Sequence, residues 1–165
     1  MMTRALASLG PAAVACALAS ACAGRGRPVQ PPTVPPPAAD AVAAARAVVE
    51  QYEQGYEVLS AEALKPLYAP GDDVLVVAQG RAWRGVAAVD GYLRDLFARA
   101  EAVRLDLSDV RVQSLGADAA EVSAAVVREI RTGATTAIER GVLTLTLSRV
   151  GDRWLIRTEH FSYGR

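Results

Sequence analysis

One histidine, His160, occurs in the 165 residues, and the two cysteines, Cys16 and Cys22, both lie within the first 22. From Ala23 onward there is no thiol, which excludes a disulfide framework, a cysteine nucleophile and a cysteine metal site in any folded part. With one histidine and no clustered acids, no metal is expected. No phosphate loop, serine elbow or dinucleotide fingerprint occurs, so no cofactor is expected either. Charge of one sign is also lacking: 18 basic side chains balance 18 acidic ones, no basic cluster stands out, and nucleic acid is not an expected partner. Lysine is nearly absent, Lys65 being the single exception among arginines.

What is present begins with an apolar run. Arg4 precedes the stretch Ala5 to Ala19, and small residues lead to Cys22, the pattern of a secretory signal. Gly10-Pro11 interrupts the run, which is too short for a membrane span. Leu18-Ala19-Ser20-Ala21-Cys22 is similar to a bacterial lipobox, with its leucine one place early. The expectation is a signal peptide over 1–22 and lipidation of Cys22. The acyl chains would hold the protein on a membrane at roughly 0.8 kcal/mol per buried CH₂. The alternative is a soluble periplasmic or secreted protein. Residues 23–39 hold six of the nine prolines and read as an extended linker.

A domain is expected over 40–165, net −3 from 15 basic and 18 acidic side chains. Asp40 is a helix N-cap candidate. Val42, Ala45, Val48, Val49, Tyr52, Tyr56 and Leu59 follow at helical spacing, with Gly55 as a point of close packing. Ser60 is placed to cap a short second helix through Leu64, Leu67 and Tyr68. Val74 to Ala78 reads as a buried strand and Trp83 as part of a short strand or turn. Val86, Val89, Tyr92, Leu93, Leu96 and Phe97 mark a third helix.

The remainder is sheet. Leu105 and Leu107 alternate in one phase and Val110 and Val112 in the other, which predicts a bulge near Ser108-Asp109. A turn at Gly133-Ala134 pairs Ala124 with Leu143, Val126 with Gly141 and Arg128 with Glu139. A turn at Gly151-Asp152 pairs Leu147 with Ile156, Leu145 with Thr158 and Leu143 with His160. That register places Trp154, Ile156, Thr158, His160 and Ser162 on the buried face, and Arg157 and Glu159 on the other. Helices first and a meandering sheet after them predict an α+β fold.

This order resembles the nuclear transport factor 2-like superfamily, in particular its SnoaL-like and ketosteroid-isomerase-like branches. The residues that carry the likeness are Leu67-Tyr68-Ala69 followed by Asp72-Asp73-Val74, Arg84-Gly85 before the third helix, and the ending. There Gly151-Asp152-Arg153-Trp154-Leu155-Ile156 precedes Glu159-His160-Phe161-Ser162. The resemblance implies a cone: three helices from the N-terminal half packed on a strongly curved, mostly antiparallel sheet that encloses an apolar pocket. It also implies pocket-lining roles for Tyr52, Tyr56, Trp83, Tyr92, Arg128 and His160. The ketosteroid-isomerase base has no counterpart in Val74-Leu75-Val76-Val77-Ala78, where no acid occurs.

For His160 two roles stay open, an acid/base near neutral pH or a hydrogen-bonded core residue. For Arg128 they are a ligand anion or a cross-strand pair with Glu139. Asp106 and Asp109 are further strand acids that could turn inward at the bulge. The functional expectation is an exported domain that binds a small, partly apolar ligand in the cone without catalysis. Its alternatives are a cone-pocket isomerase, cyclase or dehydratase using His160, and a module of an envelope complex that dimerises through its sheet.

Overall fold

The first helix, α1 (Ala39–Glu57), exists because one of its faces has somewhere to go: Ala41, Ala45, Val48, Val49, Tyr52 and Tyr56 are all buried. The computed structural model describes residues 39–163. The signal segment and the linker assigned above therefore lie outside the described residues, apart from Ala39, which opens α1. Past the helix end Leu59 turns left-handed (φ +52°), and Ser60 N–H donates to Gly55 O at 3.3 Å. Ser60 then caps α2 (Ala61–Leu64), its Oγ accepting from Ala63 N–H at 3.1 Å. A 3₁₀ turn, Lys65–Leu67, follows around Pro66. Gly55 faces Leu64 so closely that a Cβ there would lie 2.5 Å from Leu64 Cδ2.

Strands β1 (Leu75–Ala78) and β2 (Arg81–Arg84) form a hairpin whose two turn residues, Gln79 and Gly80, are both left-handed (φ +51° and +72°). Helix α3 (Val86–Arg99) buries Val89, Tyr92, Leu93 and Phe97. Four long strands complete the chain: β3 (Ala102–Ser114), β4 (Ala119–Thr132), β5 (Thr135–Val150) and β6 (Arg153–Tyr163). With β1 and β2 they form one curved six-stranded sheet in the order β2-β1-β6-β5-β4-β3, antiparallel except where β1 meets β6. The α+β cone expected from the sequence is the fold observed.

Most of the expected register holds. Ala124 pairs with Leu143, Val126 with Gly141 and Arg128 with Glu139. The β3 ladder is interrupted between Ser108 and Arg111, where Asp109 is left-handed (φ +52°). Asp106 and Asp109 are both exposed, so neither turns inward.

The last hairpin departs from expectation. Leu147 pairs with Ile156 as predicted, but the next pair is Thr146 with Thr158, leaving Arg157 as an extra residue in β6. Beyond this bulge every side chain changes face. Leu145 lies opposite Glu159 and Leu143 opposite Phe161, while His160 pairs with Thr144 on the outer face and is exposed. Trp154 is half-buried, and Leu155 joins Ile156 in the core. The reason is that β6 is bonded on both edges. β1 runs beside it with Val76 against Glu159 and Val77 against His160, and Ala69 N–H donates to Ile156 O at 2.9 Å. Val76 is fully buried, so its neighbour on β6 must face inward as well.

Gly141 marks the tightest approach in the sheet: a Cβ there would sit 1.9 Å from the carbonyl oxygen of Ser162. Backbone cannot rotate away as a side chain can. Gly141→Ala is therefore expected to destabilise the fold by at least ~2 kcal/mol. Gly55→Ala meets Leu64 Cδ2 at 2.5 Å and Cγ at 2.6 Å on a fully buried leucine, but it gains helix propensity and clashes with no backbone. It is therefore expected to destabilise by less than Gly141→Ala, about 1–2 kcal/mol. Urea unfolding of the two variants checks this ordering.

Candidate functional site

The inner face of the sheet is apolar along most of its length, with Val122, Ala124 and Val126 on β4 and Leu143, Leu145 and Leu147 on β5. Two ionisable side chains interrupt it, Glu159 on β6 and Arg128 on β4, and both are 0% exposed. Burying either charge without a partner is costly, so each surrounding arrangement is informative.

Glu159 lies among phenols. Tyr68, which follows the 3₁₀ turn, donates its hydroxyl to Glu159 Oε2. From α1, Tyr52 and Tyr56 close over the same space. Their hydroxyls are 3.4 Å apart, long for an O–H···O bond, and their rings are tilted at 5.1 Å. Behind them the Phe97 ring meets Tyr56 edge-on at 5.5 Å. Glu159 Oε1 has no hydrogen-bond partner among the described residues. Burial pushes the Glu159 carboxyl up to about 7, against the opposing pull of the Tyr68 and Tyr52 hydroxyls and the Arg128 charge. Burial likewise raises Tyr52, Tyr56 and Tyr68 well above the ordinary phenol range, so all three remain donors.

Arg128 has a counter-ion. Its Nε donates to Glu139 Oε2 at 2.8 Å, and Nη2 lies 2.6 Å from the same oxygen. Gln79, from the β1–β2 turn, donates to Glu139 Oε1 at 2.7 Å. On its other side Arg128 Nη1 donates weakly to the Tyr92 hydroxyl at 3.4 Å, and Tyr92 stacks on Trp83 at 4.1 Å. The guanidinium carbon lies 4.9 Å from the Phe161 ring centre and 5.3 Å from that of Tyr163. Burial works against the Arg128 charge, but Tyr56, Tyr92 and Tyr163 hold its pKa above the ordinary arginine value.

The structure thus gathers five of the six side chains named as pocket wall, Tyr52, Tyr56, Trp83, Tyr92 and Arg128, around one interior. It leaves out His160, which the β6 bulge carries to the outer face. Glu159, Tyr68, Phe161 and Tyr163 are the interior residues that sequence reasoning missed. For the three on β6 the signal was the odd-numbered phase of Phe161 and Tyr163 against the even-numbered Ile156, the same change of phase that marked the bulge in β3. Among the described residues no three His, Cys, Asp or Glu side chains gather as metal ligands, and no helix is long and apolar enough to cross a membrane. Outside the interior, a groove of about 480 Å³ runs past Leu59, Glu62, Arg94 and Phe97.

The arrangement can do two things chemically. A carboxyl that titrates near neutrality can donate or accept a proton within an apolar interior. A buried guanidinium can hold an anion at the far wall.

A sequence model described as the SnoaL-like domain matches residues 45–165. No functionally curated protein matches the chain. Among solved structures, a candidate dehydratase of the NTF2-like family from Streptomyces avermitilis is 19% identical with a TM-score of 0.70; the alignment covers 76% of this chain and 98% of that one. A candidate scytalone dehydratase from Novosphingobium aromaticivorans is 16% identical with a TM-score of 0.69, covering 75% and 84% of the two chains. A Mycobacterium tuberculosis protein of unknown function is 18% identical with a TM-score of 0.66, over 75% and 72%. At these identities the likeness is one of fold.

The pKa of Glu159 makes stability depend on pH. Folded Glu159 holds its proton up to about pH 7, whereas unfolded it would lose it near 4.5. Its contribution is therefore fully present below ~pH 4.5 and is lost as pH rises through 7, about 3 kcal/mol in all. Glu159→Gln removes this term. Urea unfolding at pH 5 and pH 8 is expected to show a wild-type loss at the higher pH that exceeds the variant's by about 2–3 kcal/mol.

Proposed function

This chain belongs to the SnoaL-like domain family, and from that premise we propose that its cone binds a small, partly apolar molecule. The observation that carries the proposal is Glu159: a fully buried carboxyl whose Oε1 has no partner among the described residues, walled by aromatic rings. A buried polar atom without a partner costs stability that a fold does not ordinarily retain. A ligand carbonyl in that place would accept from the protonated carboxyl, and a ligand hydroxyl would either accept from it or donate to the ionised form. The tyrosines would contribute apolar surface and further donors.

A second reading, proton-transfer catalysis in the same chamber, is favoured by the Glu159 pKa near 7 and the Tyr68 hydroxyl bonded to it. In that case Glu159 takes the acid/base role and Tyr68 steadies its ionised form. Activity would then follow one ionisation near neutral pH and vanish in Glu159→Gln.

The proposal includes export. The signal-like segment, Cys22 and the proline-rich stretch after it support a lipid-anchored protein with the cone held away from the membrane. In a bacterial host the full chain is expected in the membrane fraction and Cys22→Ser in the soluble fraction; equal partitioning of the two removes the anchor.

Binding is tested with neutral aromatic ketones and phenols as probes. A compound seated in the cone is expected to raise the melting temperature by ~5 °C or more at 100-fold excess over Kd, and by less in Glu159→Gln and Tyr52→Phe. It should also move the methyl resonances of Leu143 and Leu145. Compounds that move only surface resonances, across a broad fragment set, would overturn the binding reading.

A further inference from the structure

The ion pair between Arg128 and Glu139 is asymmetric in two ways. Arg128 is 0% exposed whereas the Glu139 side chain is 21% exposed, so the acid alone reaches solvent. The pairing also uses a single carboxylate oxygen. Nε and Nη2 of Arg128 both point to Oε2, at 2.8 and 2.6 Å, because Oε1 is engaged by Gln79 at 2.7 Å. A guanidinium and a carboxylate pair best as two forks, with two parallel N–H···O bonds. Here that geometry is not reached. Close as it is to Oε2, Nη2 is misaligned and has no hydrogen-bond partner among the described residues. The buried hydroxyl of Tyr163 lacks one too, and the Tyr163 ring is one of the two that flank the Arg128 guanidinium.

We propose that Arg128 is an anion seat at the edge of the cone and that Glu139 occupies it as an internal stand-in, displaced by the carboxylate of a small planar ligand. This deepens the ligand-binding reading above and rests on it. The incoming carboxylate forms the two-pronged pair with Arg128 that Glu139 cannot form, and its second oxygen can accept from the Tyr163 hydroxyl. Glu139 keeps Gln79 and moves outward into water at the end of its strand, so the buried cation never lacks a counter-ion. Flat walls select a flat ligand. The Phe161 and Tyr163 rings are 3° from parallel at 5.5 Å, and Trp83 stacks on Tyr92 at 4.1 Å. An aryl or conjugated carboxylate would lie against such faces better than a branched aliphatic one.

The test uses the full chain with benzoate and its neutral isostere benzamide as probes. Glu139→Gln keeps the shape of the side chain and removes the competing charge. Benzoate is expected to bind this variant ~10-fold or more tighter than wild type, while benzamide binds the two alike. Glu139→Ala is expected to melt lower than wild type and to be restored by benzoate or acetate but not by benzamide, acetamide or chloride. Adding Arg128→Met to Glu139→Gln should abolish the preference for the carboxylate. If Glu139→Ala does not fold, Glu139→Gln carries the measurement. Benzoate and benzamide acting alike on Glu139→Gln would overturn the proposal, as would a benzoate effect that survives Arg128→Met. In either case, neutral probes that still bind near Glu159 would leave the ligand-binding reading standing.

Discussion

β6 is hydrogen-bonded on both edges, to β5 along its length and to β1 over Thr158 to His160, so its phase decides what the cone contains. One extra residue, Arg157, changes that phase halfway along the strand. Without it a histidine would face the interior and a carboxylate would face water. With it Glu159, Phe161 and Tyr163 turn inward and His160 turns out. The acid proposed to act in the interior and the Phe161 and Tyr163 rings beside Arg128 depend on this bulge. A slip of one position would exchange an acid in an apolar interior for an imidazole.

The two charges so enclosed are treated differently. Arg128 keeps its positive charge through Glu139 and through the aromatic faces and phenols around it. Glu159 has one phenol firmly bonded and one oxygen without a partner, and burial drives its carboxyl toward the neutral form. The interior therefore holds one fixed cation near its edge and one switchable acid deeper in, among side chains otherwise made of leucine, valine and aromatic rings. For the ligand proposed above, such an arrangement would distinguish two ends, an anionic one toward Arg128 and a hydroxyl or carbonyl toward Glu159.

Much of the fold was legible in the sequence because its signals are local. Ser60 caps the helix it was expected to cap, Gly55 lies where α1 and Leu64 come together, and the change of apolar phase between Leu107 and Val110 does mark a bulge. The Arg128–Glu139 pair followed from counting outward from a two-residue turn. The site's acid was not legible, for two physical reasons. A carboxylate is the residue type least expected inside, so alternation through Trp154, Ile156 and Thr158 was extended past the point where it stops. The second reason is that what fixes β6 in place is parallel pairing with β1, a contact between residues over 80 positions apart that no local pattern encodes.

The central claim is that Glu159 is a buried acid poised near neutrality within the cone. Its side-chain carboxyl carbon, followed by ¹³C NMR across pH 4 to 9, tests this directly. A midpoint near 7, lost as a resonance in Glu159→Gln and accompanied by shifts in the rings of Tyr68 and Tyr52, is the result the structure predicts. A midpoint at the ordinary value near 4.5 would mean that the carboxyl is solvated, and the account of the interior would be wrong.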